Sequence, residues 1–503
     1  MTQPVTLLRD EALREAMSHD VHNRGALPQA VLRPSSIEEL SAGIAAAARD
    51  GLAIVPRGAG LSYTGGYVQD DPQAILVDLS AMDRVLDINQ ADMTVTVEAG
   101  CSWKQLYEAL QPLGLRTPLW GTLSGIKASV GGGMSQNGTF WGAGQHGTFM
   151  QGVVAMKVVL ADGSVIDTGN HFLRGFGPDI TGLFCADAGA LGVKAHITLP
   201  LMREAEAFAY GSFAFDTPED YCAAMSEISR QGLASEAFGF DPFLTAQRMR
   251  RDSLAADAKS LVNMMKSQGG FWRAVKEGAK VVAAGRSFLD EAKFSIHCTS
   301  EGRIQAAADE DIRRIVAIVE ANRGRQVENT VPKILRANPF PPTNSMAGPN
   351  GERWLPVHGI VRHSRAVSTI AGFTRLFEDH AEEMERFSIG AGYLFLTVGT
   401  SGFLIEPCFY WPDKLHTLHR ASIEPAHLAK LNDYPANPEA RAVVEKLRAG
   451  VIAVIGENEG IHFQIGRTYP LRQRSDPAAW GALQALKARL DPQGRMNPGA
   501  LGL

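Results

Sequence analysis

The sequence predicts an α+β protein of two or three domains, and three observations carry that prediction. The chain has 503 residues, too many for one small core at roughly 100–200 residues per domain. Short apolar strands alternate with helical periodicity along most of its length. Glycine is concentrated, with 17 of the 51 glycines inside residues 51–152, so that stretch needs bare backbone.

The elements follow in order. Pro34-Ser35-Ser36 before Glu38-Glu39 is a helix N-cap signature, and apolar periodicity then runs to Ala48. Residues 52–56, 75–79 and 94–98 read as short strands, and 103–110 as a helix. Two glycine loops punctuate this part: 57–66, directly after the first strand, and 131–147. The second feeds a strand at 153–160, which the turn Asp162-Gly163 folds back on 165–167 as a hairpin.

From about Glu204 the texture changes to strand–helix units. The pairs are 208–215 with 217–231, 294–298 with 304–322, and 354–361 with 364–386; 393–398 and 403–409 form a further strand pair. This pattern predicts a sheet with helices on one face. Asn338-Pro339-Phe340-Pro341-Pro342 is a loop or lid between units. After Asn437 a helix, a strand at 461–465 and a final helix at 478–490 close the chain.

Composition excludes several classes. Net charge is −5, and no run approaches 18 apolar residues, so no membrane-spanning helix is expected. Residues 1–24 carry charge early and lack an apolar segment, unlike a secretory or transit signal. Cys101, Cys185, Cys222, Cys298 and Cys408 are scattered singly, which argues for reduced thiols and a cytoplasmic protein without a metal cluster. No nucleic-acid partner is expected. Residues 245–286 stand apart with nine Lys/Arg against three acids, plus Met264, Met265, Phe271 and Trp272. They read as the solvated basic face of helices, or as a peripheral membrane or partner contact.

Backbone N–H groups in a loop such as 57–66 can grip phosphate, with Arg57 adding charge; the other reading is a set of tight turns. Gly142-Ala143-Gly144-Gln145-His146-Gly147 has the spacing of a dinucleotide fingerprint but does not follow a strand, and no phosphate-binding P-loop motif occurs.

Six short stretches in order carry a family resemblance: 55–62, 97–100, 129–133, 158–163, 177–184, and 490–499 with its Asp491-Pro492 and Asn497-Pro498-Gly499. With them the chain resembles the vanillyl-alcohol oxidase and p-cresol methylhydroxylase flavoprotein superfamily, which also holds D-lactate and glycolate dehydrogenases. The resemblance implies a two-subdomain FAD-binding domain (26–204), an α+β cap, or substrate, domain with an antiparallel sheet (205–440), and a C-terminal segment (441–503) returning to the FAD domain. It also implies that Arg57, Gly58, Ala59, Gly60, Leu61, Ser62, Gly65 and Gly66 hold the pyrophosphate. Thr122, Ser124, Ser129, Val130, Gly133 and Asn137 would lie along the ribityl chain and flavin, Gly192 and Val193 by the adenine and ribose, and Asn497 back at the flavin. Leu61 stands where some members attach the flavin to His, and 125–128 lack the Cys of doubly attached members. FAD is therefore expected without a covalent bond, although a cap tether through His358 stays open.

In the cap, 399–406 lacks the histidines that metal-dependent D-2-hydroxy-acid dehydrogenases of this superfamily use, so no metal is expected. Gly466-Arg467-Thr468 is similar to the Tyr-Arg-Thr stretch of phenol-oxidising members, which makes Arg467 the first catalytic candidate. Alternation along a strand would put His462 and Gln464 on one face and Arg467 and Tyr469 on the other. His462, Tyr469, Glu406 and Tyr410 are the further candidates. The expected activity is oxidation of the hydroxyl-bearing or benzylic carbon of a small aromatic substrate by hydride transfer to flavin N5. A metal-free D-2-hydroxy-acid dehydrogenase and a non-catalytic FAD-binding electron-transfer subunit are the alternatives. Oxygen, a quinone or a cytochrome would accept the electrons, and a homodimer is one expected state.

Overall fold

The computed structural model describes residues 6–249 and 293–503; of the basic segment at 245–286, residues 250–286 lie outside the described residues. The chain begins with two small sheets that share one core. The first has the strand order Leu7–Leu8, Ala30–Leu32, Ala74–Asp78, Ala53–Arg57, and its last three strands are parallel. Ala74–Asp78 is buried at all five positions, as a central parallel strand covered on both faces must be. Helix Ile37–Arg49 forms the crossover, capped by the Ser36 side chain, with Leu40, Ile44 and Ala47 inward.

The second sheet is antiparallel, in the order Val85–Asn89, Thr94–Glu98, Val193–Pro200, Ala155–Val159, Val165–Asp167. Helix Trp103–Leu110, set by a capping box between Ser102 and Gln105, buries Trp103, Leu106 and Leu110 in the common core.

Residues 207–411 supply an eight-stranded antiparallel sheet among the described residues. Its order is Arg325–Val327, Ala207–Phe215, Phe294–Gly302, Glu236–Phe240, Gly390–Val398, Gly402–Trp411, Arg353–Pro356, with Gly359–Arg362 also on Gly402–Trp411. Period-two alternation divides its residues between two cores. Phe213, Phe395, Phe403, Ile405 and Phe409 face residues of helices Pro218–Arg230, Gln305–Ala321, Ala366–Asp379 and Pro438–Glu457. Phe238, Phe240, Leu396, Leu404, Cys408 and Tyr410 join the core of the first two sheets. The sheet is thus a wall between a helical layer and the glycine-rich domain.

Five expectations are corrected. The stretch at 354–361 is two strands, Arg353–Pro356 and Gly359–Arg362, and 364–386 is two helices broken at His380. The predicted loop at 131–147 begins as helix Val130–Gln136: Ser129 caps it, and its glycines serve close packing. The helix expected to start the returning segment, Pro438–Glu457, belongs instead to the cap, where Val444, Leu447 and Val451 are buried; the return comes after Gly460. Finally, 461–465 is not a strand. Only Ile461 bridges, to Ile360, and then Gln464 (φ +51°) and Gly466 (φ +56°) turn the backbone. Gln464 N–H donates to Gln136 O and Arg467 N–H to Thr64 O, so these groups are satisfied by the first domain and not by a sheet.

Candidate active site

A cavity of about 270 Å³ lies where the glycine-rich domain meets the cap sheet. Strand Ala53–Arg57 delivers the loop 58–66 to its rim. Gly60 has φ +76°, and a Cβ there would stand 2.0 Å from the Arg57 guanidinium, so glycine is required. The buried Arg57 side chain lies over the Tyr67 ring at 5.4 Å, and Tyr67 O–H donates to Gly60 O at 2.8 Å, fixing the turn.

Helix Val130–Gln136 forms a second wall. A Cβ on Gly131 would come within 2.6 Å of Ala99, and one on Gly133 within 3.1 Å of Phe149 and Trp103. Gly132 is different: besides Ser129 Oγ at 3.1 Å, nothing within 4 Å would meet its Cβ, and it lines the cavity. Thr122 and Ser124 add hydroxyls 3.0 Å apart. Gly192, Val193 and Lys194 line the cavity too, with the Lys194 ammonium paired to buried Asp187.

The cap wall comes from paired strands. Leu394 is registered opposite Glu406, and Leu396 opposite Leu404; all four line the cavity. Trp354, Met346, Tyr63, Phe463 and Gln464 complete that end. Tyr63 is hydrogen-bonded to Gln464, and its ring meets Trp354 edge-on at 5.7 Å. Burial first, and the Glu406 carboxylate second, push the Tyr63 phenol well above its usual range.

Comparison with known proteins agrees with this architecture. Residues 28–169 match the family described as FAD binding domain, and 465–501 match FAD linked oxidases, C-terminal domain. The fold resembles p-cresol methylhydroxylase with substrate bound, at TM-score 0.71, 15% identity, and coverage of 99% of this chain and 94% of that one. It also resembles 4-ethylphenol oxidase from Gulosibacter chungangensis, at TM-score 0.68, 17% identity, and coverage of 99% and 94%. The chain thus carries an FAD binding domain over 28–169 and the C-terminal domain of FAD linked oxidases over 465–501, on a fold like that of p-cresol methylhydroxylase. In sequence it is similar to D-lactate dehydrogenase [cytochrome] 1 of Saccharomyces cerevisiae, 26% identical over 56% of this chain and 47% of that protein. It is 33% identical to D-lactate dehydrogenase [cytochrome] of Arabidopsis thaliana over 36% of this chain and 32% of the relative. The match therefore spans half or less of those relatives' length.

The residues that line the cavity fit FAD. Arg57 offers a buried cation, Gly132 an open stretch of backbone, and Gln136 a buried Oε1 that lacks a hydrogen-bond partner among the described residues. Of the residues expected around the cofactor, Arg57, Gly58, Ala59, Gly60, Leu61, Ser62, Gly66, Thr122, Ser124, Ser129, Gly133, Gly192 and Val193 line the cavity. Four do not. Gly65 N–H donates to Asp20 at 2.7 Å, behind the loop. Val130 is packed in the core. Asn137 (φ +53°) ends its helix and accepts from Met150 N–H. Asn497 Nδ2 donates to Gly66 O and Ala188 O, bracing two walls from outside.

Among the catalytic candidates only Glu406 lines the cavity. Arg467 donates to Gly65 O, Asn497 Oδ1 and Pro498 O at 2.6–2.8 Å, so it clamps the terminal loop to the first glycine loop; burial lowers its pKa to about 10. His462 and Tyr469, expected on opposite faces, are stacked at 4.1 Å because no strand separates them. His462 is hydrogen-bonded to His358 O, and Tyr469 O–H accepts from His358 N–H. His358 is buried against Phe463 at 3.8 Å and does not line the cavity. Tyr410 is core, opposite Trp354.

The candidates passed over are Tyr63, Gln464 and Trp354. Tyr63 sits inside the first glycine loop and was legible there as a bulky residue in a cofactor cradle. Gln464 and Trp354 carry no such signal, since a left-handed turn and a strand register place them.

Proposed function

We propose that this FAD-linked oxidoreductase oxidises the hydroxyl-bearing or benzylic carbon of a small, uncharged aromatic substrate. FAD, when bound, supplies the acceptor for the hydride at N5. The chain's own residues do the rest. Tyr63 and Trp354 offer ring faces and edges to an aromatic group, while Leu394, Leu396 and Leu404 exclude water around it. Glu406 accepts the hydroxyl proton as the carbon loses its hydride, so that an alcohol leaves as a carbonyl compound. Tyr63, kept as a neutral phenol, donates to the substrate oxygen with its orientation set by Gln464.

The observation that supports this choice is the charge of the lining. Among the described residues its only cations are Arg57, on the first glycine loop, and Lys194, paired to Asp187. A substrate carboxylate would therefore meet Glu406 and leucines, an unfavourable exchange for its hydration. A second reading, D-2-hydroxy-acid oxidation with a cytochrome or quinone as acceptor, is favoured by the sequence similarity to the D-lactate dehydrogenases [cytochrome] of yeast and Arabidopsis. Anaerobic bleaching of the flavin distinguishes the two. Aryl alcohols and 4-alkylphenols should reduce it and D-lactate, glycolate and D-2-hydroxyglutarate should not. The reverse pattern establishes the second reading, and no reduction by either set favours an electron-transfer subunit.

A further inference from the structure

A segment that precedes the matched FAD-binding domain supports the first glycine loop from behind. Asp20 is fully buried and accepts from Gly65 N–H at 2.7 Å and from His22 N–H at 2.8 Å. Val21 N–H donates to Ser62 O at 2.9 Å, and Asn23 Nδ2 to Tyr63 O at 3.3 Å. Ser62 and Tyr63 line the cavity, so residues 18–24 act on the loop that holds the cofactor.

The same segment is joined to the cap by imidazoles. His19 stacks on His416 at 4.6 Å, His416 meets His419 at 4.1 Å, and His22 stands edge-on to Trp411 at 6.1 Å. His19, His22 and His419 are buried. The charged groups around them come from every neighbouring element. Glu15, Asp20 and Arg24 lie on the segment's own side; Arg353 donates to Val21 O and His22 O; Asp413 and Arg441 pair beside Arg353; Glu445 bonds His22, and Arg448 flanks it. Glu15 and Glu445 partly offset a charge on His19 or His22, whereas the largest charged influences on His416 and His419 come from Arg353 and from the other imidazoles.

We propose that residues 18–24 are an acid-releasable latch on the cofactor cavity, with Asp20 as positioning residue for the glycine loop and the His19–His416–His419 stack, beside His22, as the catch that holds only while its rings are neutral. Burial lowers the pKa of all four, that of His416 to about 2, so each prefers to take its proton in the open state. Opening is then favoured about tenfold per pH unit for every imidazole that protonates below its unfolded pKa of about 6.5. Two or more acting together make release steeper than any single histidine allows. This inference rests on FAD occupying the cavity and is independent of the substrate reading.

Hydrogen exchange of the holoprotein between about pH 7.5 and 4.5 tests it, with flavin fluorescence followed in parallel. Protection of the Val21 and Gly65 amides should fall by about a hundredfold or more per pH unit below pH 6.5. The amides of Gly402–Trp411 should stay protected, and flavin fluorescence should rise with the loss at Gly65. His416→Phe should reduce the slope by about one proton, and Asp20→Asn should expose Gly65 already at neutral pH. A wild-type slope of tenfold or less, or loss of Gly65 and Gly402–Trp411 protection together, overturns the latch, and both readings need no variant.

Discussion

Glu406 stands directly opposite Leu394 across the strands Gly402–Trp411 and Gly390–Val398, so the cap offers its carboxylate to the cavity from within a leucine patch. A carboxylate that accepts a proton there should be indispensable to the chemical step and unimportant to the cofactor. Glu406→Gln is expected to slow anaerobic flavin reduction by about 10²–10⁴-fold, the usual worth of a general base. FAD content, read from the absorbance ratio of purified protein, should not change.

Tyr63 lines the same cavity as that carboxylate, and burial, then Glu406, hold its phenol protonated well above the ordinary range. Its donor function is therefore constant through neutral and moderately alkaline pH. Tyr63→Phe should lower the reduction rate by about fivefold, the worth of one hydrogen bond of about 1 kcal/mol. The alkaline limb of the pH–rate profile should be superimposable on that of the parent. A limb near pH 10 that disappears in the variant would contradict this placement.

Arg467 is a clamp between Gly65 and the Asn497-Pro498 loop. Arg467→Ala removes three bonds to a half-buried cation and leaves three acceptors behind, so about 2–4 kcal/mol of stability should be lost. Urea denaturation of the FAD-free chain checks this. Fully reloaded Arg467→Ala should keep a reduction rate near the parent's, the outcome a catalytic arginine would not allow.

Gly131 and Gly132 are neighbours with opposite duties. Gly131→Ala forces a methyl to 2.6 Å from Ala99 and should destabilise the FAD-free protein. Gly132→Ala puts its methyl in the cavity, so it should weaken FAD binding and leave the melting temperature of the FAD-free protein unchanged. Thermal melts and FAD titrations on both variants distinguish these effects.

His462 is held neutral by burial, with its pKa lowered to about 4 from 6.5. Because the folded value lies below the unfolded one, its contribution is complete above pH 6.5 and is lost as pH falls from 6.5 towards 4. That loss amounts to about 3 kcal/mol at 1.36 kcal/mol per unit. His462→Phe should flatten the stability curve in that window, measured by urea denaturation at successive pH values.

The local order of the chain was legible from residue patterns because nearby residues decide it. Ser36 and Ser102 mark helix starts, the apolar run at 74–78 marks a buried strand, and the glycines after Arg57 mark a cradle. Each rests on capping, alternation or backbone sterics within a few residues. The glycine loop at the rim of the cavity could be read in this way, whereas FAD came with the family resemblance of six short motifs and not with local pattern.

The substrate end could not. The stretch 461–465 has the composition of a strand, yet its backbone partners are Ile360, Gln136 and, just beyond it, Thr64, residues remote in sequence. Those long-range bonds turn Gln464 into the cavity and leave His462 and Arg467 behind its walls. Likewise, which glycine of 131–133 packs on Ala99 and which opens to the cofactor depends on how the helix meets the sheet. Sequence periodicity reports which residues prefer burial; only the packing of one domain on the other decides which buried polar group borders a cavity and which is bonded shut.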